Sequence, residues 1–185
     1  MKILSLDLSS ETGWCIFIDG LYHTSGTLEK VYIEDFNVNK HPNKSNKYPQ
    51  NIVNAINEII VKIDEKYLEF KPEIIVIEGS VKGRNRHTQK FIEWMHLMVF
   101  LKFKELAVIN YMDVSEWRKI VNLRLNKEDK INNKLVKKGE KRGKINKKHL
   151  SVRMVNLLFK LNKRLLDHNE CDSILLGKAY VDKKL

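Results

Sequence analysis

Apolar and polar positions alternate through Lys2–Leu8, a run rich in branched residues that carries one carboxylate, Asp7. That period predicts a first, central strand. Ser9 to Gly13 is turn chemistry, and Gly13–Asp19 reads as a second strand returning beside the first. A third, outer strand is expected over about Leu21–Glu29, completing an antiparallel meander. Val31 to Gln50 holds Pro42, Pro49 and several Asn and Lys and reads as a mobile connection. Asn51 is the expected cap of a helix whose apolar face includes Ile52, Ile56, Ile59, Ile63 and Tyr67, ending before Pro72. Glu73–Gly79 is an apolar strand closed by Glu78. A basic loop, Ser80–His87, leads to a helix over about Thr88–Leu106 that is apolar nearly all round. A short strand (Ala107–Met112) follows, then a helix capped by Asp113 or Ser115 and running to about Leu123. Two closing helices are expected over Lys147–Asn162 and about Asn169–Lys184.

Three antiparallel strands followed by alternating helices and parallel strands is the RNase H-like arrangement: an α/β fold with one mixed sheet and helices on both faces. A doubly wound α/β fold would instead open with a strand, a Gly-rich turn and a helix, and here the first turn leads back into a strand. At 185 residues the chain is read as a single domain, able to bury about 70% of its unfolded surface without disulfides or structural zinc. Cys15 and Cys171 have no CxxC or Cys/His spacing and read as two reduced thiols. No signal peptide is read at the start, and no apolar run approaches the ~18 residues of a membrane span. A soluble, cytoplasmic protein is therefore expected, in a bacterial or phage-infected cell.

The formal charge of +11, from 34 Lys+Arg against 23 Asp+Glu, favours a polyanionic partner. A genome rich in A and T also inflates Lys, Asn and Ile, so the placement of charge says more than its total. Residues 124–146 are rich in Lys and Asn and read as a flexible basic arm that orders on DNA phosphates, against the alternative of plain solvated surface.

Carboxylates occur in three places that a sheet protein should disfavour: Asp7 inside a strand, Glu78 at the end of an apolar strand, and the run Asp167-His-Asn-Glu170-Cys-Asp172 before an apolar helix. Each has an ordinary explanation alone, as a turn former, an ion-pair partner or a helix cap. Together they match what two hard divalent cations about 3.5–4 Å apart require, namely several carboxylate oxygens from separate elements. Such a pair activates water and stabilises the leaving 3′ oxygen in phosphodiester hydrolysis. HExxH, GxSxG and Walker lysine motifs are absent from the chain.

The chain resembles the RuvC-type Holliday junction resolvases, particularly short phage versions. The resemblance spans most of its length and rests on Leu4-Ser-Leu-Asp-Leu-Ser-Ser-Glu-Thr-Gly-Trp14, Ile75-Val-Ile-Glu-Gly79, Val114-Ser-Glu-Trp-Arg-Lys119, the basic stretch into Lys147-Lys148, and Asn169-Glu-Cys-Asp172. It implies an RNase H-like fold, two Mg²⁺ ions per site with Mn²⁺ able to substitute, a homodimer, and paired symmetric nicks in four-way DNA junctions. By this resemblance Asp7, Glu78 and Asp172 fall on the family's first, second and last carboxylates. Where the family has Asp or His three residues before the last, this chain has Asn169. Glu170 is therefore expected to supply the fourth ligand, with Asn169 as its competitor and Asp167 as a cap. Lys148, or else Lys147, matches a lysine at the scissile phosphate.

Some relatives carry an aromatic wedge three residues after the second carboxylate, where this chain has Val81. Lys82, Arg84, Asn85 and Arg86 beside it suit phosphate contacts, as do Lys141, Arg142 and Lys144. Trp117 is expected to pack, with Arg118 and Lys119 facing DNA. The all-round apolar helix, with Trp94, Met95 and Met98, suggests pairing with its copy across a two-fold axis. The leading expectation is a metal-dependent endonuclease on branched DNA. A non-catalytic DNA-binding module with a degenerate site is the alternative, kept open by Asn169. An actin-like kinase half is disfavoured by length and by the lack of an adenosine-binding glycine motif.

Overall fold

A computed structural model of the chain describes residues 1–33, 48–79, 86–136 and 143–184. The expectations for Val81, Lys82, Arg84, Asn85, Lys141, Arg142 and the side chain of Arg86 lie outside the described residues, as does most of the connection before the first helix.

Strands β1 (Lys2–Asp7), β2 (Gly13–Ile18) and β3 (Leu21–Thr27) form the expected antiparallel meander, followed by helix α1 (Gln50–Phe70) and strand β4 (Ile74–Glu78). Helix α2 (Arg86–Phe103), strand β5 (Val108–Met112) and helices α3 (Val114–Ile120), α4 (Lys127–Leu135) and α5 (Lys147–Phe159) come next. A 3₁₀ turn at Leu165–Asp167 leads into α6 (His168–Lys184). The sheet order is β3-β2-β1-β4-β5, with β4 parallel to both β1 and β5. This is the mixed sheet of an RNase H-like fold, as the alternation and element order predicted.

Side-chain parity sorts the strands onto two cores. Leu4, Leu6, Ile16, Ile75 and Ile77 face Ile52, Ile56, Ile59 and Ile63 of α1 and Phe91, Met95, Val99 and Phe103 of α2. Ile3, Cys15, Phe17 and Val76 point the other way, onto Trp117 of α3, Val155 of α5 and Ile174, Leu175 and Ala179 of α6. Each fully buried branched side chain contributes about 1.5–3 kcal/mol, and both faces of β1 and β4 are covered.

Helix α6 lies nearly flush on the sheet. Ser5 Oγ donates to the Ser173 carbonyl at 2.8 Å. A Cβ built on Gly177 would stand 2.6 Å from both Phe17 Cε2 and Ser5 Oγ, and one on Gly13 only 2.0 Å from the Asn169 carbonyl oxygen. Only glycine permits either approach.

Several boundaries differ from expectation. Helix α1 is entered through Pro49 with no side-chain cap, and Asn51 is a buried residue of its first turn; proline's fixed φ suits a helix start. Within the segment read as a flexible basic arm, Lys127–Leu135 is a helix. Its capping box pairs Asn126 with Asp129, each side chain bonded to the other's backbone N–H. Asp129 is 3% exposed and takes a bidentate bond from Arg153 of α5, at 2.9 and 2.6 Å. That guanidinium holds the Asp129 carboxyl down at about 2.

Candidate functional site

Asp7 shares its face of β1 with Ile3 and Ser5, and Glu78 shares its face of β4 with Ile74 and Val76. Because β1 and β4 run parallel in register, with Leu6 paired to Ile77, both carboxylates emerge one step further on, at the same sheet end. Their face is the one covered by α6, whose second turn begins with Asp172. The three expected carboxylates therefore meet where two strand ends and a helix start converge.

The cluster is short of compensation. Burial drives the Asp7 carboxyl well above its usual value, and the neighbouring Asp172 and Glu78 push it the same way. Among the described residues no hydrogen bond reaches the Asp7 side chain. Burial also raises Glu78, partly offset by Trp117, whose indole N–H donates to Glu78 Oε2 at 2.8 Å, and by Arg118. Asp172 is raised by burial too, against a short hydrogen bond donated by Ser151 Oγ and the fields of Arg118, His168 and Lys148. Acids that repel one another in a partly dry site favour either protonation or a cation.

Arg118, Lys147 and Lys148 bring positive charge to this cluster. Arg118 acts on all three acids, Lys148 on Asp7 and Asp172, and Lys147 on Glu78. The two lysines open α5, whose N-cap Asn146 accepts from the Lys148 and His149 backbone N–H groups. Arg118 lies 4.9 Å over the Trp117 ring, and its buried Nε has no hydrogen-bond partner among the described residues. Arg118 is half-buried and its charge lowers the pKa of all three acids, while Lys119 is exposed. Trp117 does pack, at 0% exposure, and it also holds a candidate ligand. The sequence reading missed that second role.

Glu170 requires a correction. Its carboxylate pairs with Lys163 Nζ at 2.5 Å and accepts from Ser25 Oγ at 2.5 Å. Residues two apart on a helix point about 200° away from each other, so Glu170 and Asp172 cannot serve one site. Asn169, one turn before Asp172, uses its amide N–H to reach the Glu11 carbonyl at 2.8 Å. Asp167 accepts from the Arg164 backbone N–H at 2.7 Å and so caps the 3₁₀ turn. His168, overlooked in the sequence, also stands one turn before Asp172 and lowers its pKa. Its Nδ1 lies 3.2 Å from the Leu165 carbonyl oxygen, an acceptor, so that nitrogen donates and Nε2 is the one not engaged there.

Among the described residues, no three His, Cys, Asp or Glu side chains are already gathered as a ready-made ion cage. The donor chemistry nevertheless suits a hard divalent cation, since the uncompensated groups are all carboxylates. The two cysteines take no part: burial pushes the Cys171 thiol up to about 12 and Cys15 well above its usual value. Among the described residues, no helix is long and apolar enough to cross a membrane.

No protein-family model matches the sequence, and comparison with curated proteins finds no match. Solved structures do match. RuvC of Thermus thermophilus in complex with a Holliday junction substrate aligns over 100% of this chain and 95% of its own, with a TM-score of 0.65 at 11% identity. A second Thermus thermophilus RuvC structure covers the same shares with a TM-score of 0.61 at 13% identity. The yeast mitochondrial Holliday junction resolvase Ydc2 aligns over 97% of this chain and 77% of its own, with a TM-score of 0.52 at 9% identity. The chain thus has the fold of the RuvC-type Holliday junction resolvases.

Proposed function

We propose that this protein is a metal-dependent endonuclease that resolves four-way DNA junctions, and that Asp7, Glu78 and Asp172 hold the ions. One observation carries the reading: three half-buried carboxylates from β1, β4 and α6 converge at one end of the sheet beside basic side chains, burial raising the pKa of each and Asp172 adding to the rise at Asp7 and Glu78. Divalent cations bound there would supply an activated water and charge stabilisation at the leaving oxygen. Trp117 fixes the orientation of Glu78, and Ser151 fixes that of Asp172. Arg118, Lys147 and Lys148 hold the phosphodiester against the acids, with Lys148, opposite Asp7 and Asp172, the first choice for the scissile phosphate. His168 and Asn169 replace Glu170 as the candidates for the fourth ligand. Mg²⁺ is the expected ion and Mn²⁺ its substitute. Lys119 and Lys144 extend the phosphate-binding surface.

Paired nicks need two sites, and α2 supports a homodimer. Leu97, Phe100 and Leu101 are 55%, 42% and 51% exposed beside an apolar recess of about 190 Å³ lined by Val53, Ile56, Trp94, Leu97 and Met98. A second copy of the same helix would cover this surface.

The test is single-turnover cleavage of a labelled four-way junction, alongside fork, flap and duplex substrates, in Mg²⁺ and in Mn²⁺. Junction cleavage that disappears in Asp7→Asn while binding persists is the expected result. Asn169, which brings no charge one turn before Asp172, keeps open a second reading, a non-catalytic junction-binding module. Binding without nicking in either metal would select it.

A further inference from the structure

Helix α4 is almost without apolar packing, yet it is tied down at both ends. At its start Asp129 is buried beneath Arg153 of α5. Near its end the Asn133 side chain makes two bonds to Ile145, donating to the carbonyl at 2.9 Å and accepting from the N–H at 2.8 Å. Asn132 donates to the Gly143 carbonyl at 3.0 Å. All these partners lie in α5 or in the few residues leading into it, and α5 opens with Lys147 and Lys148, which act on the carboxylate cluster. The helix is therefore a fixed extension of the wall beside the candidate site.

Its two faces differ in chemistry. Asp129 and Asn133, four residues apart, form the anchoring side. Lys127, Lys130 and Lys134 fall at i, i+3 and i+7 in one row that runs beside the anchoring side, and all are exposed. At 1.5 Å per residue they span about 10 Å. None of the three has an ion-pair partner among the described residues; of the two carboxylates in the first turn Asp129 is paired with Arg153, which leaves exposed Glu128 against three lysines. A row of lysines on a helix held rigid by polar clamps, continuous with the lysines at the site, is complementary to a regular polyanion.

We propose that α4 is a pre-ordered phosphate-binding surface that grips a duplex arm of the DNA substrate outside the cleavage site. The sequence reading expected a flexible arm; a helix already folded and anchored loses less conformational entropy on binding. This proposal rests on the DNA-directed reading above and names which part of the chain holds an arm.

The experiment measures junction affinity of the full chain against salt concentration. Lys127→Gln/Lys130→Gln/Lys134→Gln should weaken binding about tenfold or more near 0.1 M salt. It should also reduce the slope of log affinity against log salt by about 3, one per phosphate contact. Hydroxyl-radical protection should shorten along one arm. A charge-matched control, Lys30→Gln/Lys71→Gln/Lys104→Gln, should change the slope by much less. Arg153→Gln keeps the three lysines but frees the helix, so affinity should fall and proteolysis within α4 should rise. Equal losses in the two triple variants, or an unchanged slope in the first, overturn the proposal. So does an unchanged slope together with altered sedimentation in Ile131→Ser, which would make α4 a protein contact. A wild-type chain that binds no DNA would instead defeat the underlying reading.

Discussion

Glu170 and Asp172 lie two residues apart on α6, both carboxylates and both largely buried, yet the fold treats them in opposite ways. Glu170 has a lysine and a serine hydroxyl within hydrogen-bonding distance, and Tyr22 in turn shares a hydrogen bond with that serine at 3.0 Å. Asp172 receives one serine hydroxyl and faces two other acids. A buried charge satisfied entirely by its own chain holds structure together. One left beside like charges leaves room for a cation from outside.

The largest expected effect sharpens this contrast. Asp172→Asn should lower junction cleavage by about 10³-fold, because several kcal/mol of ion-mediated stabilisation is lost, whereas Glu170→Gln should stay within about tenfold of wild type in the same single-turnover assay. Comparable losses in both would erase the distinction. In stability the order reverses. Glu170→Gln strands Lys163 and should cost about 3 kcal/mol in urea unfolding, while Asp172→Asn should cost little.

Next in size, Trp117→Phe keeps the buried ring but removes the donor to Glu78. One hydrogen bond to a charged group is worth about 1.5 kcal/mol, so cleavage should fall roughly tenfold with little change in junction affinity. Asp7→Asn tests the uncompensated side by stability alone. The folded pKa of Asp7 is raised, so its ionisation opposes folding increasingly as pH rises from the unfolded value of 3.8 through the folded one. In chelator at neutral pH the variant should melt higher than wild type, by about 2–4 °C for each kcal/mol relieved, and the difference should shrink towards pH 4. The smallest effect belongs to Asp129. Its pKa is lowered to about 2, so the stability it adds is present above the unfolded value of 3.8 and is lost as pH falls through 2. Proteolysis within α4 should rise over that interval in wild type and be insensitive to it in Asp129→Asn.

Much of this was legible in the residues. Period-two alternation exposed the strands, and a carboxylate in each of two apolar runs marked Asp7 and Glu78, because strand parity puts both on one face. Glu170 was expected as a ligand because it brings the charge that Asn169 lacks, although helix phase separates it from Asp172 and points to Asn169, its competitor, and to His168. Helix α4 was missed because its stability comes from a capping box and side-chain clamps rather than an apolar face; Asn126 three residues before Asp129 was the available signal. That the charge of Arg118 bears on all three acids was not legible, since it depends on how β5 delivers α3 against β4, a tertiary matter.

The flush seat of α6 has a consequence for variation in this chain. A methyl group at Gly13 would collide with the peptide of Asn169, one turn ahead of Asp172, and one at Gly177 would collide with the strand beneath. Either change would tip the helix off its bed and carry the last carboxylate away from the other two. Two positions that bear no functional group would then be as intolerant of substitution as the acids themselves, and a screen for lost cleavage should recover them together.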